Sequence, residues 1–533
     1  MRAALTRPTD RTRLILLALI AAASTAIYAA LTVSMSLDEF FPGPGLTLDF
    51  QSMLGDDWQA NTWRLYGSFA ALFALFALWG GALALVSRLR LSRWSVAVVA
   101  LGGIAMAGAL VPMYPPFAVD FFHYLGEGRL LWVEGENPMV RGHGEFFPIG
   151  MSYGNEAAAY GPFWYWTLAP PVFAGGDDFP RSLLLLKAWM VGWLALAALL
   201  AALISRRLAQ SSEPPGSQSS EPPGSQSSES PSRGGRELFV AVAIAWNPYV
   251  LWRVAGNGHN DITMMALALL AIWLVVTERW RWVLPALAAS VLVKYVSLLL
   301  LPALLLFLWR RPSEHRRALL PQLAIRAAVA AVFVVAAFAP MWQGLEVFDQ
   351  LRAQSDRIIT SSPQLVSLLL NRSFDVSLER ADEIGLWAGT AAFVLAAAVL
   401  LWRQRPGPEA LIAVSVSLML AYALLGVGWF RPWYFLWVVT LTPLLPGRWW
   451  LAVGVAASVA GLAPDVAEKY AVFVELLRPL TRTHPSLPAM LIQFLPPALV
   501  WLLALLWTRS SGLGVAQLST ARNDPSTPAN PAS

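Results

Sequence analysis

Long apolar runs return again and again along this chain of 533 residues: Leu14–Val33, Gly67–Val86, Ser92–Met113, Leu183–Ile204, Ile262–Val276, Ala324–Ala339, Leu386–Trp402 and Leu487–Trp507. About 20 mostly apolar residues cross a ~30 Å hydrocarbon core as a helix. Backbone polar groups in lipid must find partners within the chain, so these runs are helices. With shorter runs included, the length rule gives roughly 12 to 14 membrane helices. Composition agrees: 57% of residues are hydrophobic and 13% charged, about half the charge of a soluble domain. The expected fold is an all-α polytopic membrane protein.

The net charge of +5 is spread over short loops, which argues against nucleic acid as a partner. Its placement indicates orientation. Arg2, Arg7, Arg11 and Arg13 precede the first run, Arg88, Arg90 and Arg93 fill a turn, Arg206 and Arg207 another, and Arg310, Arg311, Arg316 and Arg317 a third. The loop with Asp38, Glu39, Asp49, Asp56 and Asp57 is acidic. The positive-inside rule puts the Arg-rich turns and both termini in the cytoplasm of a plasma-membrane protein. Arg352, Arg357, Arg372 and Arg380 sit in a long outside loop, which the rule tolerates. Leu14–Val33 exceeds the usual signal-peptide core and is read as a retained helix. With no cysteine, disulfides do not hold the outer loops.

Four divisions follow. Residues 1–205 carry the N-terminal membrane helices and an outside loop, 114–180, while residues 237–508 form a second membrane half. Between them, 206–236 repeats SSEPPGSQ and reads as a disordered cytoplasmic insert, and 509–533 as a disordered tail. Residues 121–133 and the aromatic stretch 160–172 suit helices at the membrane interface. Val283–Trp309 has inside-type charge at both ends (Arg281 and Arg310), so a hairpin of two short helices with Lys294-Tyr295 at its tip is expected.

Chemistry concentrates at four places. Asp120, His123, Tyr124 and Glu127 fall on one face of a helix starting where the chain emerges outside. Sugar transfer to a hydroxyl needs a base, and a phosphate leaving group needs no acid; equally, Asp120 can simply cap the helix. The loop Gly256-Asn257-Gly258-His259-Asn260-Asp261 can bond sugar hydroxyls or form a capped turn. Its His259 and Asp261 alone do not make a metal site. Lys294 stands in the most apolar part of the chain, where a cation suggests function and phosphate is a natural partner; snorkelling is the alternative. Arg431, among aromatics, is as readily an interface anchor as a ligand. His143 is a lone loop histidine and Trp449-Trp450 a pair of interface anchors. No Walker, dinucleotide or zinc pattern occurs, so no cofactor is implied, with a divalent metal left open.

Taken in order, DFFHYLGEGRLLWVEGENP, YGPFW, WNPYVLWRVAGNGHND, VLVKY and FRPWYFLW resemble the C-type glycosyltransferase superfamily of membrane enzymes. They are most similar to the bacterial polyprenol-phosphate-mannose-dependent α-mannosyltransferases. The resemblance spans roughly Gly67 to Trp437. It implies an inverting transfer of a hexose, mannose by analogy, from a polyprenyl-phosphate donor to a glycan or lipid-glycan acceptor on the outer face. Asp120 would be the base, and Tyr124 and the Glu136-Asn137-Pro138 turn would shape the acceptor side. Tyr160, Asn257, His259, Asn260 and Asp261 would line the sugar cavity, with Lys294 and Arg431 near the lipid phosphate. Relatives often carry Tyr where Met139 stands, which bears on acceptor recognition. A transporter or flippase of lipid-linked saccharide is the rival reading, and an inactive assembly subunit a third. The transporter reading lacks support from a repeat or from polar residues at helix centres; the sequence does not decide the third.

Overall fold

A computed structural model describes residues 8–34, 62–115, 120–144, 155–211, 235–311, 313–467 and 487–510. The acidic loop, most of the SSEPPGSQ insert and the tail beyond 510 lie outside the described residues. Helices dominate, and among the described residues β structure is limited to isolated bridges such as Ile359 with Trp429. The chain is an all-α polytopic membrane protein.

The principal helices in chain order are α1 (Pro8–Ser34), α2 (Thr62–Val86), α3 (Arg93–Leu110), α4 (Asp120–Trp132), α5 (Pro162–Thr167), α6 (Phe179–Ser211), α7 (Gly235–Ala245), α8 (Asp261–Val276), α9 (Val283–Val291), α10 (Leu300–Trp309), α11 (Ser313–Phe338), α12 (Ser362–Phe374), α13 (Leu378–Trp402), α14 (Pro408–Ala421), α15 (Arg448–Ala467) and α16 (Leu487–Ser510). Among the described residues seven helices are long and apolar enough to cross a membrane, one bent pair at Gly235–Gly256 adds an eighth, and four are apolar but shorter. Twelve in all is the lower bound set by the sequence. Several apolar segments are short or broken, which is why length alone misses them. Helices α6 and α7 also extend into both ends of the expected insert, taking in 206–211 and 235–236.

The basic turns are linked. Arg13 donates to the Arg88 carbonyl at 2.9 Å, Arg207 to that of Val276 at 3.4 Å and Arg310 to that of Trp402 at 2.8 Å. Arg206 lies 3.9 Å from Glu237 and Arg311 3.8 Å from Glu278. These contacts join α1 and α2, α6 and α7, and α8, α10 and α13 through their Arg-bearing ends.

Irregular backbone positions the site. A π-turn at Trp252–Gly256 ends the bent pair, and a second at Tyr422–Gly426 ends α14. Such turns widen a helix and recur at functional sites. The apolar segment 283–309 breaks where expected: Lys294 is extended (φ −150°, ψ 121°) and a 3₁₀ turn, Tyr295–Leu299, follows. Its halves do not pack along one another as a closed hairpin, because α9 lies on α8 and α11 while α10 lies on α14. Carbonyls freed by the break are met from α5: Trp164 N donates to Leu292 O and Gly161 N to Val293 O, both at 3.3 Å.

Gly161 is needed for this approach, since a Cβ there would lie 2.3 Å from the Leu292 oxygen. Gly161→Ala is therefore expected to push α5 off the break at a cost of about 1–3 kcal/mol, the usual scale for overpacking. Thermal melting of purified protein checks this, and an unchanged midpoint would show that the break does not depend on the contact.

Candidate active site

Helix α4 is enclosed more fully than a surface helix. It packs against α5, α6 and the short helix Ala169–Gly175, burying Phe121, Phe122, Tyr124, Leu125, Glu127 and Leu130. Phe121 seats on Gly258, where φ is +70° and a Cβ would come within 2.3 Å of the ring. Only glycine fits both the left-handed backbone and the close approach. This contact brings the Asp120 helix against the Asn257–Asp261 loop.

Asp120 retains accessible surface although it lies deep in the protein, as a residue lining an internal cleft does. Burial raises its pKa; Arg431 and then Lys294 pull it down, and Asp261 pushes it up. Those three groups therefore stand close enough to act on it. Its carboxyl is bonded to no other side chain among the described residues. Glu127, two turns on, is buried, and its pKa is pushed well up by burial and by Asp120. Tyr124 and Tyr160 face each other with hydroxyls 3.3 Å apart, both pKa values raised chiefly by burial.

The opposite wall comes from the loop and the 431–437 segment. Asn257, His259, Asn260 and Asp261 are fully buried. Both polar side-chain atoms of Asn257, of His259 and of Asn260 lack a hydrogen-bond partner among the described residues. His259 stacks on Trp433 (centroids 4.0 Å, 21°), and burial, with Arg253, Lys294 and Arg431 nearby, holds it neutral. Tyr434 stacks on Trp437 (4.4 Å, 18°). Lys294 bonds both oxygens of Asp261, and its ammonium lies 5.7 Å from the Tyr160 ring centre.

Most of the residues singled out from the sequence thus converge: Asp120, Tyr124, Glu127 and Tyr160 on one side, Asn257 to Asp261, Lys294 and Arg431 on the other. Two are engaged elsewhere. Asn137 spends its amide within the protein, donating to Met341 O at 2.6 Å and accepting from Met139 N at 3.0 Å. His123 Nδ1 meets His143 Nε2 at 2.8 Å, so His143 is a structural partner of α4. No group of three His, Cys, Asp or Glu side chains suited to a metal occurs among the described residues.

Sequence reasoning missed two features. Trp433, Tyr434 and Trp437 were not singled out, yet Trp433 stacks on His259 and Trp437 bonds Asp261, with Tyr434 stacked on Trp437. Lys187 was lost inside an apolar run; it is fully buried, donates to the Met113 carbonyl and lies 5.7 Å from the Phe121 ring centre. The rarity of lysine in this chain was the available signal.

Comparison with known proteins bears on the same segment. Residues 232–310, which contain the Asn257–Asp261 loop and Lys294, match a family model described as the N-terminal domain of alpha-(1->6)-mannopyranosyltransferases. Over 377 residues the chain is 25% identical to alpha-(1->6)-mannopyranosyltransferase A from Mycobacterium tuberculosis, an alignment covering 66% of this chain. It spans 64% of that curated relative's length. Both similarities support the mannosyltransferase relationship indicated by the motifs.

Proposed function

We propose that this protein is a membrane mannosyltransferase that takes its sugar from a polyprenyl-phosphate donor. The observation that carries the reading is the buried trio Asn257, His259 and Asn260, whose six side-chain polar atoms have no partner among the described residues, beside Asp120. Buried polar groups are ordinarily paired, and a site that presents such groups next to stacked aromatic faces suits a sugar, with hydroxyls at its edge and C–H groups on its face.

Asp120 acts as the base. An acceptor hydroxyl gives its proton to the carboxylate as its oxygen attacks the anomeric carbon, and the bond to the donor phosphate breaks with its electron pair leaving on phosphate. Attack opposite the leaving group inverts the centre, the geometry shared with inverting glycoside hydrolysis. Tyr124 and Tyr160 flank the acceptor path. The linked Arg-bearing turns support a cytoplasmic placement of that end under the positive-inside rule, with the site toward the outer face of the plasma membrane and a glycan or lipid-glycan as acceptor.

Membranes containing the protein are to be given polyprenyl-phosphate-[14C]mannose or GDP-[14C]mannose with a lipid-glycan acceptor fraction. Transfer from the lipid donor alone is expected. Transfer from the nucleotide donor alone would overturn the donor class, and movement of intact lipid-linked saccharide without transfer would favour a flippase. Because the pKa of Asp120 is raised, transfer should fall on acidification through a value above the usual carboxylate pKa of ~3.9, and reach a plateau above it. A rate unchanged down to about pH 4 would argue against this base.

A further inference from the structure

The cations around the site differ in whether their charge is already balanced. Lys294 Nζ donates to both Asp261 oxygens, at 2.9 and 3.0 Å, and the Trp437 indole donates to Oδ1 at 2.5 Å. The Asp261 side chain is fully buried and that of Lys294 is 16% exposed. This neutral junction ties the start of α8 to the break at 292–294 and to the turn carrying Trp437. Two of the three ammonium donors are used. Arg357 is likewise paired, with Glu156 at 3.0 Å. Arg431 is different: its guanidinium makes no ion pair or hydrogen bond among the described residues. Its guanidinium lies 4.4 Å from the Trp429 ring centre and 5.6 Å from that of Trp433, and it retains accessible surface.

We propose that Arg431 receives the donor phosphate, while Lys294 and Asp261 form a neutral positioning pair that fixes Trp437 and Tyr434 against the sugar. This rests on the donor reading above and divides between two residues a role that the resemblance gave to both. A phosphate that drew Lys294 away would leave a buried carboxylate without its partner, a costly exchange. Arg431 has no such tie. A guanidinium presents a planar fork matched to phosphate oxygens, and the contact with the Trp429 ring steadies the group while its N–H donors are not taken by other described residues.

Full-length protein in nanodiscs is titrated with undecaprenyl phosphate. Arg431→Gln should weaken binding by ~10–100-fold, the loss of one or two charge-assisted bonds, and Arg431→Lys should recover part of it. The double variant Lys294→Met/Asp261→Asn should bind close to wild type yet transfer with reduced kcat. In melting, Lys294→Met and Asp261→Asn alone should each lower the midpoint, because each strands one buried charge, and the double variant should recover. Binding lost in the double variant but kept in Arg431→Gln would reverse the assignment to Lys294. Additive melting losses would dismiss the neutral pair. Failure of wild type to bind undecaprenyl phosphate would withdraw the donor reading and Arg431's role with it, whereas the melting series decides the pair by itself.

Discussion

Asp120→Asn is expected to lower sugar transfer by ~10²–10⁴-fold at neutral pH, the range supplied by a positioned general base, without destabilising the fold. The two halves of that result have separate causes. Asparagine keeps the size and shape of the side chain but cannot hold the acceptor's proton, so the chemical step fails while donor binding persists. For stability, the folded pKa of Asp120 lies above its unfolded value. The folded state therefore binds the proton more tightly, and stability rises as pH falls through that raised value. The amide resembles the protonated form, so at neutral pH the variant should melt at or above the wild-type temperature. Transfer at matched expression and melting of the purified variant give both readings. Transfer that survives would remove Asp120 as the base, and a sharp drop in melting would mark it as a structural cap.

How far the sequence led depended on range. Membrane helices follow from local hydrophobicity, so the all-α architecture was legible, as was the break at Lys294, where charge on both flanks conflicts with one straight span. The Asp120 face was legible from helical spacing. Pairings between distant segments were not. Nothing local in VLVKY says that Lys294 will neutralise Asp261, which is 33 positions away. Nor does FRPWYFLW say that Trp437 will share that carboxylate across 176 positions. An interface tryptophan and a cavity tryptophan have the same composition, and only the π-turn ending α14 and the turn after it decide which way the ring faces. Short and broken segments, such as the bent pair and the one interrupted at Lys294, lie around the candidate site, where backbone lines protein instead of lipid.

Asn257 and Asn260 offer the sharpest separation of fold from function. Their amides are fully buried, yet they have no partner among the described residues, so they contribute little to holding the loop. Each buried unpaired group costs about 1–3 kcal/mol where solvent does not reach it. Asn260→Leu, which keeps the branching and heavy-atom count of the side chain, should therefore leave melting unchanged or raise it, while transfer falls by at least ~10²-fold as the site loses polar groups that meet the sugar. Asn257→Leu should behave alike, since its side chain shares the same lack of partners. A structural turn gives the opposite pattern, with lower melting and transfer lost only in proportion to unfolded protein. Melting and specific transfer measured on the same preparations distinguish the two. Stabilised but inactive variants would identify the loop as a binding surface kept at the expense of stability, and destabilised variants of normal specific activity would return it to the scaffold.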